Sequence, residues 1–348
     1  MLDCCIIGAG ASGLFLLHLP KEWKKLILEQ NTSPGIKILL SKGRCNFTNL
    51  RASFKTYLDQ TARVHQVLGQ FPQDMIRFLD SFSIYSKQED NGRMLLESNK
   101  SKQLVDFLVQ KNQENQTQIQ YSTSVSQIQK TDFFTISTSQ GFFQTKRVVI
   151  ATGGMSFPKV GSDFVFHFAK EHNLEYQSPA PALCGLNTKE DLSSLSSSVE
   201  ATTKLFLDGK QVYQDDRVVL FTHRGVSPAI FNTSLWLGYF DPHFTKKAQI
   251  KITIPANQIT KRLLSYLKAP RGLRSYTMTL TPISLRSYDE SKVMSGLNFA
   301  EIGDDFQLHK LPGCYVLGEA LNITGKTGYN LQRCRSSAFV CAKRLKEN

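Results

Sequence analysis

Three short stretches hold residues whose types and spacing can do chemistry. Near the N-terminus, Gly8-Ala9-Gly10-Ala11-Ser12-Gly13 forms a GxGxxG pattern. It follows the apolar run Cys4-Cys5-Ile6-Ile7 and precedes Leu14-Phe15-Leu16-Leu17, so it reads as strand, tight turn, helix. The first glycine permits the turn. The second lets a pyrophosphate approach the backbone, and the third lets helix and strand pack closely. Free N–H groups at the helix start would face the phosphates. Such a loop has its acidic partner about 20 residues on. Glu29 stands there, closing the strand-like run Lys25-Leu26-Ile27-Leu28, and its carboxylate would accept ribose hydroxyls. The pattern predicts a dinucleotide without choosing between FAD and NAD.

The second stretch is the polar loop Lys42-Gly43-Arg44-Cys45-Asn46. Cys45 lies inside this polar, basic loop, and a thiol beside Lys42 and Arg44 is expected to have a depressed pKa. The third is Thr222-His223-Arg224-Gly225. His223 titrates near neutrality and is a candidate proton donor, although a lone histidine in a β-rich region also reads as structural. The other six histidines and the seven cysteines show no metal-ligand spacing, so no metal site is expected. An odd cysteine count without a CxxC pair fits reduced thiols.

The elements that must position these residues follow from the pattern. The chain of 348 residues, 41% apolar, is long enough for two domains or one with a large insertion. No run of 18 apolar residues occurs and no basic signal-peptide start is present, so a cytoplasmic protein without a membrane span is expected. Helical spacing appears at 57–70, 74–82 and 101–111, and strand alternation at 118–129, 133–138 and 142–145. Val148-Val149-Ile150-Ala151 runs into Thr152-Gly153-Gly154, an apolar strand with a small-residue exit past which a cofactor fits. From about 180 to 310 the signals are β-like, with a hairpin marked by Asp208-Gly209 and a short helix at 259–267. Residues 313–319 return to the strand–glycine–acid style, and 331–346 form a closing helix. The expected fold class is α/β: a discontinuous Rossmann-like domain, 1–180 with 311–348, and an inserted β-rich domain, 181–310.

Net charge is +13, from 42 basic and 29 acidic residues. Residues 242–288 contain no Asp or Glu but nine Lys and Arg, and 30–58 is acid-free too. Clustered charge of one sign steers anions and tracks a phosphate backbone. A solvated basic face has the same signature.

Five segments together resemble one family: 8–13 with Glu29, 41–49 (SKGRCNFTN), 151–162 (ATGGMSFPKVGS), 220–227 (LFTHRGVS) and 318–332 (GEALNITGKTGYNLQ). They look like the bacterial BaiN/RdsA group of NAD(P)/FAD-dependent oxidoreductases, also called aminoacetone-oxidase-like. The resemblance implies a two-dinucleotide-binding-domain flavoprotein fold, with the group's helical insertion reduced here. It implies FAD as the resident cofactor and NAD(P)H as a transient reductant. The cofactor-binding residues it implies are Gly8, Gly10, Ala11, Ser12, Gly13, Glu29, Gln30, Lys37, Gly43, Arg44, Asn46, Thr48, Asn49 and Val125 in the N-terminal part. Further on they are Ala151, Thr152, Gly153, Gly154, Gly318, Glu319, Asn322, Gly328, Tyr329, Asn330, Leu331 and Gln332.

The group's activities are hydride chemistry, including reduction of uridine in ribosomal RNA, reduction of steroid enones and amine oxidation. The first of these is the leading expectation, with ribosomal RNA bound through basic residues 242–288. A small-molecule enone reductase or amine oxidase is the rival. An RNA-binding protein on a decayed flavoprotein scaffold is the alternative of another class, since glycines usual in the group are replaced at several turns. Candidate catalytic residues are Arg44, to stabilise developing negative charge, with Cys45 and His223 as proton donors.

Overall fold

The computed structural model describes residues 1–40, 44–52, 72–89, 92–157, 159–182, 184–227, 237, 241, 246–268, 272–286, 292–323 and 330–347. The chain divides into two compact units, Met1–Pro179 with Ser295–Asn348, and Ala180–Met294.

The first unit is built on a five-stranded parallel sheet. Its order is Cys314–Val316, Val148–Ile150, Cys4–Ile7, Lys25–Leu28, Thr117–Gln120. Every residue of the central strand Cys4–Ile7 is buried. That unbroken burial is what a parallel strand covered on both faces requires, and it explains the continuous apolar run. The helices Ser101–Glu114 and Asn330–Glu347 supply Leu104, Leu108, Ala338 and Cys341 to the same core. Two small antiparallel sheets flank it. One joins Asn46–Asn49, Arg93–Leu96 and Ser86–Gln88; the other is the meander Val125–Lys130, Phe134–Thr138, Gly141–Thr145. The spacing at 74–82 becomes the helix Pro72–Asp80, and the helix expected at 57–70 lies outside the described residues.

The helix after the glycine turn is much shorter than its apolar run suggests, spanning Ala11–Leu14 only. Pro20 disfavours helical geometry at Leu19, and side chains take over the freed carbonyls. Asn112 Nδ2 donates to Leu14 O at 2.9 Å and to Leu108 O at 2.8 Å. Asn115 Nδ2 donates to Leu17 O at 3.3 Å and to Leu19 O at 3.1 Å. A helix of one turn has a weak dipole, so its contribution to phosphate binding rests on its local N–H groups.

The second unit is a seven-stranded antiparallel sheet with its own core, in which Val199, Leu205, Val219, Ile250, Ile252 and Leu263 are buried. Strand Ser198–Leu207 alternates buried and more exposed residues, as a sheet with one covered face must. It turns through Asp208 (φ 49) and Gly209 (φ 82) into Lys210–Thr222. Two central residues with positive φ make this the primed hairpin turn that Asp-Gly favours. This unit also carries the helix Lys261–Leu267 and a short 3-10 turn, Ala256–Gln258. No helix among the described residues is long and apolar enough to cross a membrane.

Asn112 is fully buried. Asn112→Ala removes two hydrogen bonds and leaves the Leu14 carbonyl unpaired, so a loss of about 1–3 kcal/mol is expected in denaturant unfolding. An unchanged midpoint would show that this carbonyl finds another partner.

Candidate functional site

The glycine turn is fixed by the strand beside it. Gly8 N–H donates to Leu28 O at 2.7 Å. At Gly13 the backbone lies against the Gly8 carbonyl with no room for a Cβ. Gly10 is different: a Cβ there would meet nothing within 4 Å, so its missing side chain leaves open space above the turn. Glu29, 6% exposed, ties the loop down. Its Oε2 accepts from Ala9 N–H at 2.7 Å, and its Oε1 accepts from Asn31 N–H at 2.9 Å and Asn31 Nδ2 at 2.6 Å. A carboxylate has about four acceptor positions, so one remains for a ligand hydroxyl.

The far end of the chain arrives on this turn. Gly318 (φ 64) packs against the Ser12 side chain so closely that a Cβ could not fit. Glu319 Oε1 then accepts from Asn330 Nδ2 at 2.7 Å, and its Oε2 lies 4.0 Å from Lys37 Nζ. Lys37 Nζ also donates to Gly154 O at 2.5 Å, joining the strand exit Ala151-Thr152-Gly153-Gly154 to the same network. Burial pushes the Lys37 pKa down, and the Glu319 carboxylate opposes that shift. Gln30 Nε2 donates to Gly161 O at 3.0 Å. Thr48 donates its hydroxyl to Gln332 Oε1, linking the strand Asn46–Asn49 to the closing helix Asn330–Glu347.

Other expected residues sit less centrally. Asn49 Oδ1 accepts from Arg51 N–H at 2.8 Å, a turn bond that also shapes its own loop. Val125 opens the meander, Asn322 N–H donates to Leu297 O at 2.8 Å, and Leu331 packs partly buried on the core. Gly43, Gly328 and Tyr329 lie outside the described residues. His223 belongs to the second unit, exposed at the turn between Lys210–Thr222 and Gly225–Ser227. Among the described residues no group of three His, Cys, Asp or Glu could hold a metal.

Cys45 corrects the expectation of an activated thiol. It is 2% exposed, and burial pushes its pKa up to about 12. The neighbouring cation does not offset this, because Arg44 turns outward to ion-pair with Glu89, which also lies 3.4 Å from Arg93. Cys45 itself holds a left-handed backbone (φ 52) directly before Asn46.

The set fits FAD. The space at Gly10 suits a pyrophosphate, and the free acceptor position on Glu29 suits a ribose hydroxyl. Asn46 Oδ1 and Asn330 Oδ1 are buried without a donor, and a ligand N–H would satisfy either of them. Residues missed in the sequence are Asn31, which shares Glu29, and Arg333, 2% exposed in the first turn of the closing helix. An Asx residue after a strand-end acid was a readable signal for the first. A cation in a small-residue run was the signal for the second.

A family model described as HI0933-like protein Rossmann domain matches residues 2–344. The chain is 28% identical to a protein of Escherichia coli K12 named ribosomal RNA dihydrouridine synthase, covering 99% of this chain and 98% of that one. It is 27% identical to a Haemophilus influenzae protein of the same name, over 97% and 96%. Among solved structures it is similar to the 3-ketosteroid-Δ4-(5α)-dehydrogenase of Rhodococcus jostii RHA1, with a TM-score of 0.53 and 11% identity over 98% and 96% of the two chains. That last likeness concerns the fold.

All seven cysteines are buried. Native protein is therefore expected to resist alkylation at neutral pH, with Cys45 labelled only on unfolding or as the pH approaches 12. Peptide mapping after brief treatment with iodoacetamide reads this directly. Rapid labelling of Cys45 at pH 7 would contradict the buried, protonated thiol.

Proposed function

The chain belongs to the HI0933-like family, the FAD-dependent oxidoreductase group that its motifs resemble, and from that premise we propose that it reduces uridine in ribosomal RNA to dihydrouridine. The observation that carries the proposal is the near-complete alignment, at both ends of both chains, with two proteins named for that reaction. In this reading NAD(P)H would reduce the FAD, and the reduced flavin, when bound, would supply the hydride for one carbon of the uracil double bond.

The protein's own residues then bind, orient and hold charge. The Gly10 opening and Glu29 hold the dinucleotide end. Lys37, half-turned to Glu319 and Gly154, sets a positive charge beside the strand exits, where a pyrophosphate would lie. Asn46 and Asn330 orient the ring through their open acceptors. The neighbouring uracil carbon needs a proton. Cys45 keeps its proton throughout the neutral range, but an acid with a pKa of about 12 transfers it poorly. In this conformation Cys45 shapes the Asn46 loop, and Arg44 is committed to Glu89.

For the RNA, the acid-free region contributes a sheet face as well as a charge total. Lys204 and Lys251 stand directly opposite on neighbouring strands, with Lys251 Nζ 4.7 Å from the Phe206 ring centroid. Like charges so placed repel, and a phosphate between them would relieve the repulsion. A small-molecule enone reductase would have no use for this face.

Deleting the gene and mapping dihydrouridine across ribosomal RNA tests the proposal. Loss of a defined site, restored by the intact gene, is the expected result. An unchanged dihydrouridine map would refute the RNA substrate.

A further inference from the structure

The closing helix carries two buried arginines, and they are treated differently. Arg335, 7% exposed, lies over aromatic rings, its guanidinium carbon 4.5 Å from the Phe78 centroid and 5.7 Å from the Phe339 centroid. Arg333 is 2% exposed, yet its Nε is sealed from water without a partner. Among the described residues the Arg333 side chain makes no hydrogen bond, ion pair or ring contact. A guanidinium carries five N–H donors and does not shed its charge. Burying one unpaired is among the costliest arrangements available to a fold. The apolar core gains nothing from it.

Its position says what it is kept for. Arg333 is in the first turn of the helix Asn330–Glu347, eighteen residues long. The N–H groups of that turn lack intrahelical acceptors and form the positive end of the helix dipole. Helical side chains lean toward the N-terminus, so the guanidinium adds its charge to that end. Its neighbours along the helix belong to the candidate site. Gln332 accepts from Thr48, and Asn330 donates to Glu319. Asn46 Oδ1 and Asn330 Oδ1 still lack donors. One turn and its neighbouring strand thus hold an unpaired cation and two open acceptors. The complementary ligand edge is anionic or becomes so, and carries an N–H beside its acceptors. A phosphodiester, fully ionised at neutral pH, has no donor for these acceptors. The pyrimidine end of a flavin has one, flanked by carbonyls, and gains negative charge on reduction.

We infer that Arg333 is the charge partner of the flavin's pyrimidine end, held in reserve by the fold and satisfied when the cofactor binds. The inference rests on the FAD reading above. It makes Arg333 a residue that trades stability for cofactor binding.

Arg333→Met, Arg333→Gln and Arg333→Lys in the full chain test it. The readouts are melting temperature without FAD, FAD affinity, and the midpoint potential of the bound flavin. Arg333→Met should raise the melting temperature of the FAD-free protein and weaken FAD binding by roughly 10- to 100-fold. Bound flavin in the Met and Gln variants should be harder to reduce, and Arg333→Lys should recover part of the potential. Unchanged FAD affinity and potential in the Met and Gln variants would overturn the inference. Loss of RNA turnover alone, with both values unchanged, would also overturn it and move Arg333 to an RNA phosphate. If neither variant folds, Arg333 is a structural residue and the inference falls. Wild-type protein that takes up no FAD would instead overturn the FAD reading on which it stands.

Discussion

The first unit depends on a contact between the two ends of the chain, where the backbone at Gly318 lies against Ser12 with no room for a side chain. Ser12 belongs to the glycine turn, and Gly318 opens the 3-10 turn that leads to the closing helix. The contact is possible because Val148–Ile150 lies between Cys4–Ile7 and Cys314–Val316 and pairs in parallel with both. All three strands therefore deliver their exits to the same edge, which is where ligands bind in open parallel sheets. From that contact the network spreads through Glu319 to Asn330 and Lys37, and through Lys37 to Gly154.

Burial then decides what each polar group in the network can do. Lys37 stays close to a carboxylate and a carbonyl, which offsets the cost of taking its charge out of water. Cys45 has no such partner, so desolvation acts alone and the thiol keeps its proton. Glu29 is spent mainly on the protein itself, holding Ala9 and Asn31. Binding a ribose would therefore add to a structural role. Three of the buried polar atoms that the fold leaves without a partner, Asn46 Oδ1, Asn330 Oδ1 and Arg333 Nε, lie in the strand and helix that Thr48 and Gln332 tie together.

What was legible in the sequence was local or strictly periodic. The glycine turn, its acid at Glu29 and the Asp208-Gly209 hairpin each follow from backbone requirements of a few residues. The core strands Cys4–Ile7 and Val148–Ile150 announced themselves as short unbroken apolar runs. What was not legible depends on partners distant in sequence. The short helix Ala11–Leu14 ends where Asn112 and Asn115, about a hundred residues away, accept the task of satisfying its carbonyls. The basic residues around Cys45 suggested a reactive thiol, but the outward turn of Arg44 toward Glu89 could not be read from spacing. The near-complete burial of Arg333 depends on the packing of the closing helix.

The central claim is that the N-terminal glycine turn and the Gly318 segment together clamp one FAD. The visible absorption spectrum of the full chain, incubated with FAD and then desalted, tests it most directly. The account predicts a flavin spectrum at about one cofactor per chain. A colourless protein that retains no FAD under these conditions would contradict it.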